Sequence, residues 1–308
     1  MKIDVKNFVE KRNEKLKEKI KQLPEKPYIV TYLLGDRKDS QTYVKNKKKL
    51  IKKLGMASEI EDLPDGMSVE LLANSIKRYA VNPKVHGILI QLPLNRKYYS
   101  KEDEEYLINL IPPEKDVDGL TAANQAKLFM GKDKNTFLTP CTPTGIVELL
   151  KAEFVYDEAN DEFTNKPLQG RDFLVIGRSQ LLGNSLAQML MREDANVTLL
   201  HSKSGYKDLG NYLYENNTIG TICLCAGVPD LLKGEDCITN NLHTIIDAGI
   251  NVGEDGKLRG DFCKEDYDIL DEQCIAYTTV PGGVGPITTH MLAYNLYKAY
   301  CLQNNIEL

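Results

Sequence analysis

Residues 173–190 read FLVIGRSQLLGNSLAQML. The apolar run Phe173–Ile176 enters a turn at Gly177, and Gly183 opens a stretch with helical apolar spacing. A strand, a glycine turn and a helix in this order open a nucleotide-binding α/β fold. In it, backbone N–H groups and a helix N-terminus can face a pyrophosphate. The turn departs from G-x-G-x-x-G: Ser179 takes the second glycine position, and the last glycine falls one place late. Read alone, such a turn is also an ordinary fold feature.

The flanking sequence supports the same class. Downstream, strands are predicted near Asn196–His201, Gly220–Cys225 and Thr244–Ile250, which is a Rossmann-like order. Upstream, strands are predicted at 28–34, 58–63 and 85–92. Helices are predicted over 4–22, from a cap at Asp39 or Ser40 to Leu54, and over 69–80 and 101–110. This alternation predicts a first α/β unit with a largely parallel sheet. Asp157–Asp161 is acidic and without periodicity, and reads as an exposed loop beside a domain boundary. A last helix is predicted over 287–303, after a glycine-rich turn.

The whole chain has 308 residues, enough for about two domains. With 42% apolar and 27% charged residues it is an ordinary globular chain, not a fibre or a disordered one. No stretch approaches about 18 uninterrupted apolar residues, so no membrane span is expected. The net charge of −5 argues against a global attraction to nucleic acid or membrane. Seven scattered cysteines without C-x-x-C, and four isolated histidines, suggest neither a disulfide framework nor a metal site. The N-terminal MKIDVKNFVEKRNEKLKEKI mixes Lys and Glu and has no apolar core, so a reducing cytoplasm is expected.

Two local patterns carry chemistry. The first is the end of the second Rossmann strand, Val197–Ser204, where an Asp or Glu would hold the ribose hydroxyls of NAD. No acid stands there. Arg178, Ser202 and Lys203 fit a 2′-phosphate instead, which favours NADP. The charges are also compatible with a solvated surface. The second pattern is Ser40-Gln41-Thr42-Tyr43-Val44-Lys45-Asn46-Lys47. On a helix, Tyr43 and Lys47 share a face with Ser40 one turn earlier. An aromatic ring beside an amine can hold a flat ligand and handle protons. Such an amine must first give up its own proton, which burial and cationic neighbours promote. Lys45, Lys48 and Lys49 are such neighbours, but a lysine-rich run by itself reads as a solvated helix face.

Taken together, the motifs resemble those of the bifunctional methylenetetrahydrofolate dehydrogenase/cyclohydrolase family. The carriers are SQTYVKNK at 40–47, HGILIQLPL at 86–94, KDVDG at 115–119, PCTPTG at 140–145, GRSQLLG at 177–183, DAGIN at 247–251 and VPGGVGPIT at 280–288. They span about Tyr28 to Tyr297 in the family's order. The resemblance implies an α/β fold of two domains around a cleft. A folate-binding catalytic domain takes residues 1–148, with 284–308 packing back on it, and a Rossmann-like NADP-binding domain takes 149–283. It also implies a homodimer through the nucleotide-binding domain, with tetrahydrofolate derivatives as partners. By motif, Lys47 is the catalytic lysine, Tyr43 its partner flanking the folate, Gln91 its hydrogen-bonding neighbour and Ser40 a helper. Asp118 grips the pterin, and Pro281, Gly282 and Gly283 shape the substrate side. Gly177, Arg178, Ser179, Gly183, Ser202, Ile250 and Thr288 match cofactor contacts. Ala126, Ser185 and Ala248 depart from the family's common residues. The alternatives weighed are a monofunctional, NAD-linked dehydrogenase and a folate- or nucleotide-binding protein without turnover. Lys47 and the acid-free 197–204 segment speak against the first, and the presence of Lys47, Gln91 and Asp118 against the second. Without the resemblance, a generic NADP dehydrogenase such as a shikimate-type enzyme is the runner-up fold.

Overall fold

The computed structural model describes residues 1–157, 162–205, 208–238, 241–253 and 256–308. The expected loop Asp157–Asp161 therefore lies mostly outside the described residues. The chain folds as two compact units, Lys11–Cys141 with Thr289–Leu308, and Met1–Glu10 with Thr142–Thr288.

In chain order the first elements are α1 (Val5–Lys21), β1 (Tyr28–Leu34), α2 (Lys38–Lys53), β2 (Ala57–Leu63), α3 (Val69–Ala80), β3 (Gly87–Ile90), α4 (Lys101–Ile108), α5 (Ala122–Phe129) and α6 (Cys141–Glu153). The three strands form a parallel sheet in the order β2-β1-β3. YIVTYLL is central because it is apolar on both faces, and only Tyr28 is not fully buried. ASEIEDL takes the edge because half of its side chains are polar and reach water. The core gathers Val30, Tyr32, Leu72, Ile76, Ile88 and Leu107. α3 begins where the Ser68 hydroxyl accepts from Leu71 N–H, and α4 begins on a Ser100/Asp103 capping box.

Two sequence expectations change here. α2 starts at Lys38, so neither Asp39 nor Ser40 is its N-cap. Arg37 holds that place, in an extended conformation and without a side-chain cap bond. Ser40 falls inside the first turn, where it is buried. The strand expected over 85–92 shortens to Gly87–Ile90, and Gln91 leaves the sheet after its N–H bonds Tyr32 O at 2.9 Å.

KDVDG is held by buried polar contacts. Lys115 Nζ donates to Ala80 O and Asn82 O, closing the end of α3. The Asp116 carboxylate accepts from Leu120 N–H (3.1 Å), Thr121 N–H (2.8 Å) and Asn124 Nδ2 (2.9 Å). It thereby fixes the chain around Asp118 and the start of α5. Burial raises its pKa above the usual carboxylate range, and these donors pull it back. Asp116→Ala leaves those donors unpaired at about 1–3 kcal/mol each, so a loss of about 3 kcal/mol or more is expected. Urea unfolding measures it, and an unchanged midpoint would contradict this role for Asp116.

The remaining elements are β4 (Tyr156–Asp157), β5 (Glu162–Phe163), β6 (Asp172–Ile176), α7 (Gly183–Met191), β7 (Asn196–Leu200), α8 (Leu209–Glu215), β8 (Thr221–Leu224), β9 (Thr244–Asp247), β10 (Asn251–Val252), β11 (Leu258–Arg259), α9 (Tyr267–Glu272), β12 (Ala276–Tyr277) and α10 (Val284–Gln303). A five-stranded parallel sheet runs β12-β9-β8-β6-β7. Its core includes Leu174, Ile176, Ile222, Leu224 and Ile245. Ile3 N–H donates to Tyr277 O at 2.9 Å, which ties the first residues to the edge of this sheet. The strand expected over Thr244–Ile250 ends at Asp247, because its carboxylate turns to accept Gly249 N–H at 2.9 Å. The boundary between the units falls within α1, α6 and α10. Two α/β units with parallel sheets are the fold class expected from the sequence. No helix among the described residues is long and apolar enough to cross a membrane.

Candidate active site

The lysine-rich helix divides by register. Lys45, Lys49, Lys52 and Lys53 are exposed, as a solvated face requires, while Lys47 is only 9% exposed. Two helical turns, Ser40 to Lys47, place Ser40, Tyr43 and Lys47 on one side of α2. Ser40 is buried and Tyr43 half-buried. Lys47 Nζ donates to Gln91 Oε1 at 3.0 Å. Gln91 is oriented by its own amide, whose Nε2 donates to Leu92 O at 2.9 Å and leaves Oε1 for the amine. The end of β3 therefore brings Gln91 to a lysine 44 residues earlier. The amine is held by a neutral acceptor, and no ion pair to Lys47 forms among the described residues.

Asp118 is half-buried on the loop that Asp116 fixes. It meets Lys47 around Cys141, a residue that lies within the PCTPTG motif but that its sequence context does not single out. Cys141 is 2% exposed, and its thiol donates to Val117 O at 3.2 Å. Burial first, then the Asp118 carboxylate, push this thiol well above its ordinary range, and Lys47 pulls it the other way. Asn295 of α10 is likewise invisible to the motifs. Its Nδ2 donates to Val117 O (2.9 Å) and Thr139 O (2.8 Å) and lies 3.5 Å from Cys141 Sγ. One buried amide thus clamps the loops that carry Asp118 and Cys141. The only sequence signal for it is a polar residue within a largely apolar last helix.

The second half of the sequence-predicted site lies at the carboxyl ends of the five-stranded sheet. Gly177 has φ +119, and a Cβ there would stand 2.3 Å from Cys225 O. A Cβ on Gly183 would stand 1.9 Å from Gly177 O. The two glycines let α7 start directly on the turn. α7 has no side-chain N-cap bond, and of its first amides Asn184 N–H donates to Ser179 O at 3.0 Å. Ser185, where the family commonly has proline, is buried and donates to Gln180 O at 2.7 Å, bracing the same turn.

Arg178, Ser179 and Ser202 are exposed. β6 and β7 pair in parallel with Ile176 opposite Leu200, so Arg178 and Ser202 each follow two residues beyond neighbouring strand ends. The turn after β7 is built by His201, whose Nδ1 accepts Lys203 N–H at 3.1 Å and whose N–H donates to Ser204 Oγ at 2.8 Å. His201 thus shapes the turn and leaves the Ser202 hydroxyl outward. Ile250 is 50% exposed at the end of the β9 loop. Thr288 is anchored by Thr142 Oγ1 at 2.9 Å and Val284 O at 3.2 Å. Pro281 and Gly282 are exposed and Gly283 is buried. All three belong to the unit that carries this sheet, not to the one that carries Lys47.

A glycine turn that leads from a parallel sheet straight into a helix, with Arg178 and Ser202 exposed beyond neighbouring strand ends, is the arrangement of a nicotinamide-nucleotide oxidoreductase class. Here it is joined to a second α/β unit with a buried lysine on a glutamine. Comparison with known proteins gives the family. Residues 140–304 match the tetrahydrofolate dehydrogenase/cyclohydrolase NAD(P)-binding domain, and residues 3–118 match its catalytic domain. The bifunctional protein FolD of Staphylococcus aureus is 35% identical over 99% of this chain and 98% of its own length. The bifunctional FolD enzyme of Campylobacter jejuni superposes with a TM-score of 0.84 at 32% identity, over 99% of each chain. The Trypanosoma brucei FolD, solved with NADP and an inhibitor, gives 0.83 at 28% identity over 97% of each. The chain belongs to the tetrahydrofolate dehydrogenase/cyclohydrolase family.

Proposed function

We propose that this chain oxidises 5,10-methylenetetrahydrofolate to the 5,10-methenyl form with NADP, then hydrolyses that product to 10-formyltetrahydrofolate, within one-carbon metabolism. It is a bifunctional dehydrogenase and cyclohydrolase that uses NADP. The observation that carries the second activity is the buried Lys47 amine on the Gln91 carbonyl. A pure hydride-transfer enzyme has no need for it.

The residues fit NADP. The start of α7 on the glycine turn at the sheet's carboxyl edge suits a pyrophosphate, and exposed Arg178 with Ser202 suits a 2′-phosphate. When bound, NADP supplies the hydride acceptor. Ile250 and Thr288 are assigned to its nicotinamide end. Asp118 is assigned to the pterin, whose adjacent N–H donors a carboxylate can accept together. Tyr43 is assigned to the folate ring, and Pro281–Gly283 keeps its assignment to substrate binding from the motif alone.

In the hydrolytic step water attacks the methenyl carbon. Lys47 Nζ, as the neutral amine, takes a proton from the attacking water. When the bond from the one-carbon unit to N5 breaks, the same amine returns a proton to that nitrogen, while the hydroxyl left by the water releases its own proton to solvent and becomes the formyl carbonyl. Gln91 holds Nζ in place, and Ser40 backs it from the previous turns. We assign folate to residues 1–148 with 284–308, and NADP to 149–283. A homodimer through the nucleotide-binding domain and a cytoplasmic setting complete the reading.

Arg178→Ala removes a charge-assisted contact to the 2′-phosphate alone. NADP affinity is expected to fall about 10- to 100-fold while NAD affinity hardly moves. Cofactor titration of parent and variant measures this, and equal weakening of NADP and NAD would count against the 2′-phosphate assignment.

A further inference from the structure

The D-A-G-I-N motif converges on a residue that no motif contains. Asp261 is fully buried, and its carboxylate accepts from Ala226 N–H (2.7 Å), Gly227 N–H (3.0 Å) and Val228 N–H (2.9 Å), and from Asn251 Nδ2 (3.1 Å). Its own backbone is pinned: its O accepts Leu232 N–H at 3.1 Å, and its N–H donates to Asp247 Oδ1 at 3.1 Å. Asp247 in turn accepts Gly249 N–H (2.9 Å) and Phe262 N–H (3.0 Å). Glycine is required where these carboxylates pass: a Cβ on Gly249 would lie 2.1 Å from Asp261 Oδ1, and one on Gly260 1.9 Å from Asp247 Oδ2.

Two loops at the carboxyl ends of adjacent strands are therefore locked from beneath, one after β8 and one after β9. The first also touches the glycine turn, since a Cβ at Gly177 would strike Cys225 O. Yet the locked backbone presents apolar side chains outward, with Val228 47% and Ile250 50% exposed. A rigid backbone that holds apolar groups in the open at a sheet's carboxyl edge is built to meet a ligand. A carboxylate accepting four donors is also strongly directional.

We propose that Asp261 is a positioning residue for the nicotinamide cofactor, setting the backbone of Ala226–Val228 and Gly249–Asn251 that the cofactor lies against. The proposal rests on the NADP assignment above. Asp261→Asn keeps the shape but turns one acceptor into a donor facing backbone N–H groups. NADP affinity, read by direct titration, and the KM for NADP are expected to worsen about tenfold or more, as small misplacements of a bound reactant do. Hydrolysis of the methenyl substrate, which consumes no cofactor and runs on Lys47 in the other unit, is expected to keep its KM and rate. A fall in hydrolysis parallel to NADP binding, or unchanged NADP affinity, overturns the proposal. Asn251→Ala, which removes one donor and leaves the three backbone bonds, is the milder companion should Asp261→Asn not fold. It must weaken NADP binding selectively, and no change there equally overturns the proposal. If the parent protein itself bound no NADP, the functional reading would fail instead, so the two failures are distinguishable.

Discussion

Lys47→Met is expected to lose hydrolysis of methenyltetrahydrofolate by about 10²- to 10⁴-fold, the range that a positioned proton-transfer group supplies. Methionine keeps the length and apolar stem of lysine, so the packing on α2 should survive and only the amine is removed. Gln91 Oε1 then loses its partner at 3.0 Å, a modest cost for a neutral acceptor that water can reach. Reduction of NADP by methylenetetrahydrofolate should fall much less, since hydride transfer asks for orientation rather than a base. The methenyl product would accumulate in the variant. Following its formation and decay separately checks this, and a variant that hydrolyses at the parent rate would remove Lys47 from the mechanism.

Asp118→Asn should act differently. An amide offers one acceptor and one donor where the carboxylate offers acceptors alone, and it carries no charge. If Asp118 holds the pterin by two charge-assisted bonds worth about 1.5–3 kcal/mol each, the KM for folate substrates should rise about 100-fold. Both activities should suffer together, because both use the same ring, while NADP binding should not change. Asp118 sits on the loop that Asp116 and Asn295 hold, so the variant should remain folded. Loss confined to one of the two activities would contradict the assignment to substrate binding.

Lys47 and Asp118 also show how far a sequence carries such a site. The class of fold is legible because YIVTYLL and FLVI are apolar runs long enough to be buried strands, and the glycines at 177 and 183 mark the turn between strand and helix. Lys47 is legible only through its register with Tyr43 and Ser40 and through the family resemblance; its composition is that of a solvated run. The start of α2 is misplaced because Ser40 is a good cap residue, and nothing local says that this serine turns inward. Cys141, Asn295 and Asp261 do not stand out because their partners are distant in the chain, whereas Asp116 bonds residues only four to eight positions on and reads as one more acid in KDVDG. Asn295 reaches residues 178 and 156 positions away, and Asp261 serves a loop 33 to 35 positions earlier. Such contacts leave no periodicity and no spacing. α5 and α6 escape the pattern because they are short or weakly amphipathic.

Whether one chain performs both reactions is decided by a single experiment. The purified chain is given methylenetetrahydrofolate with NADP or with NAD, and cofactor reduction and methenyl concentration are followed together. Rapid reduction of NADP is expected, with a clear preference over NAD and a methenyl signal that rises and then decays faster than in buffer. No reduction of either cofactor, or a methenyl product that decays only at its uncatalysed rate, would contradict bifunctionality.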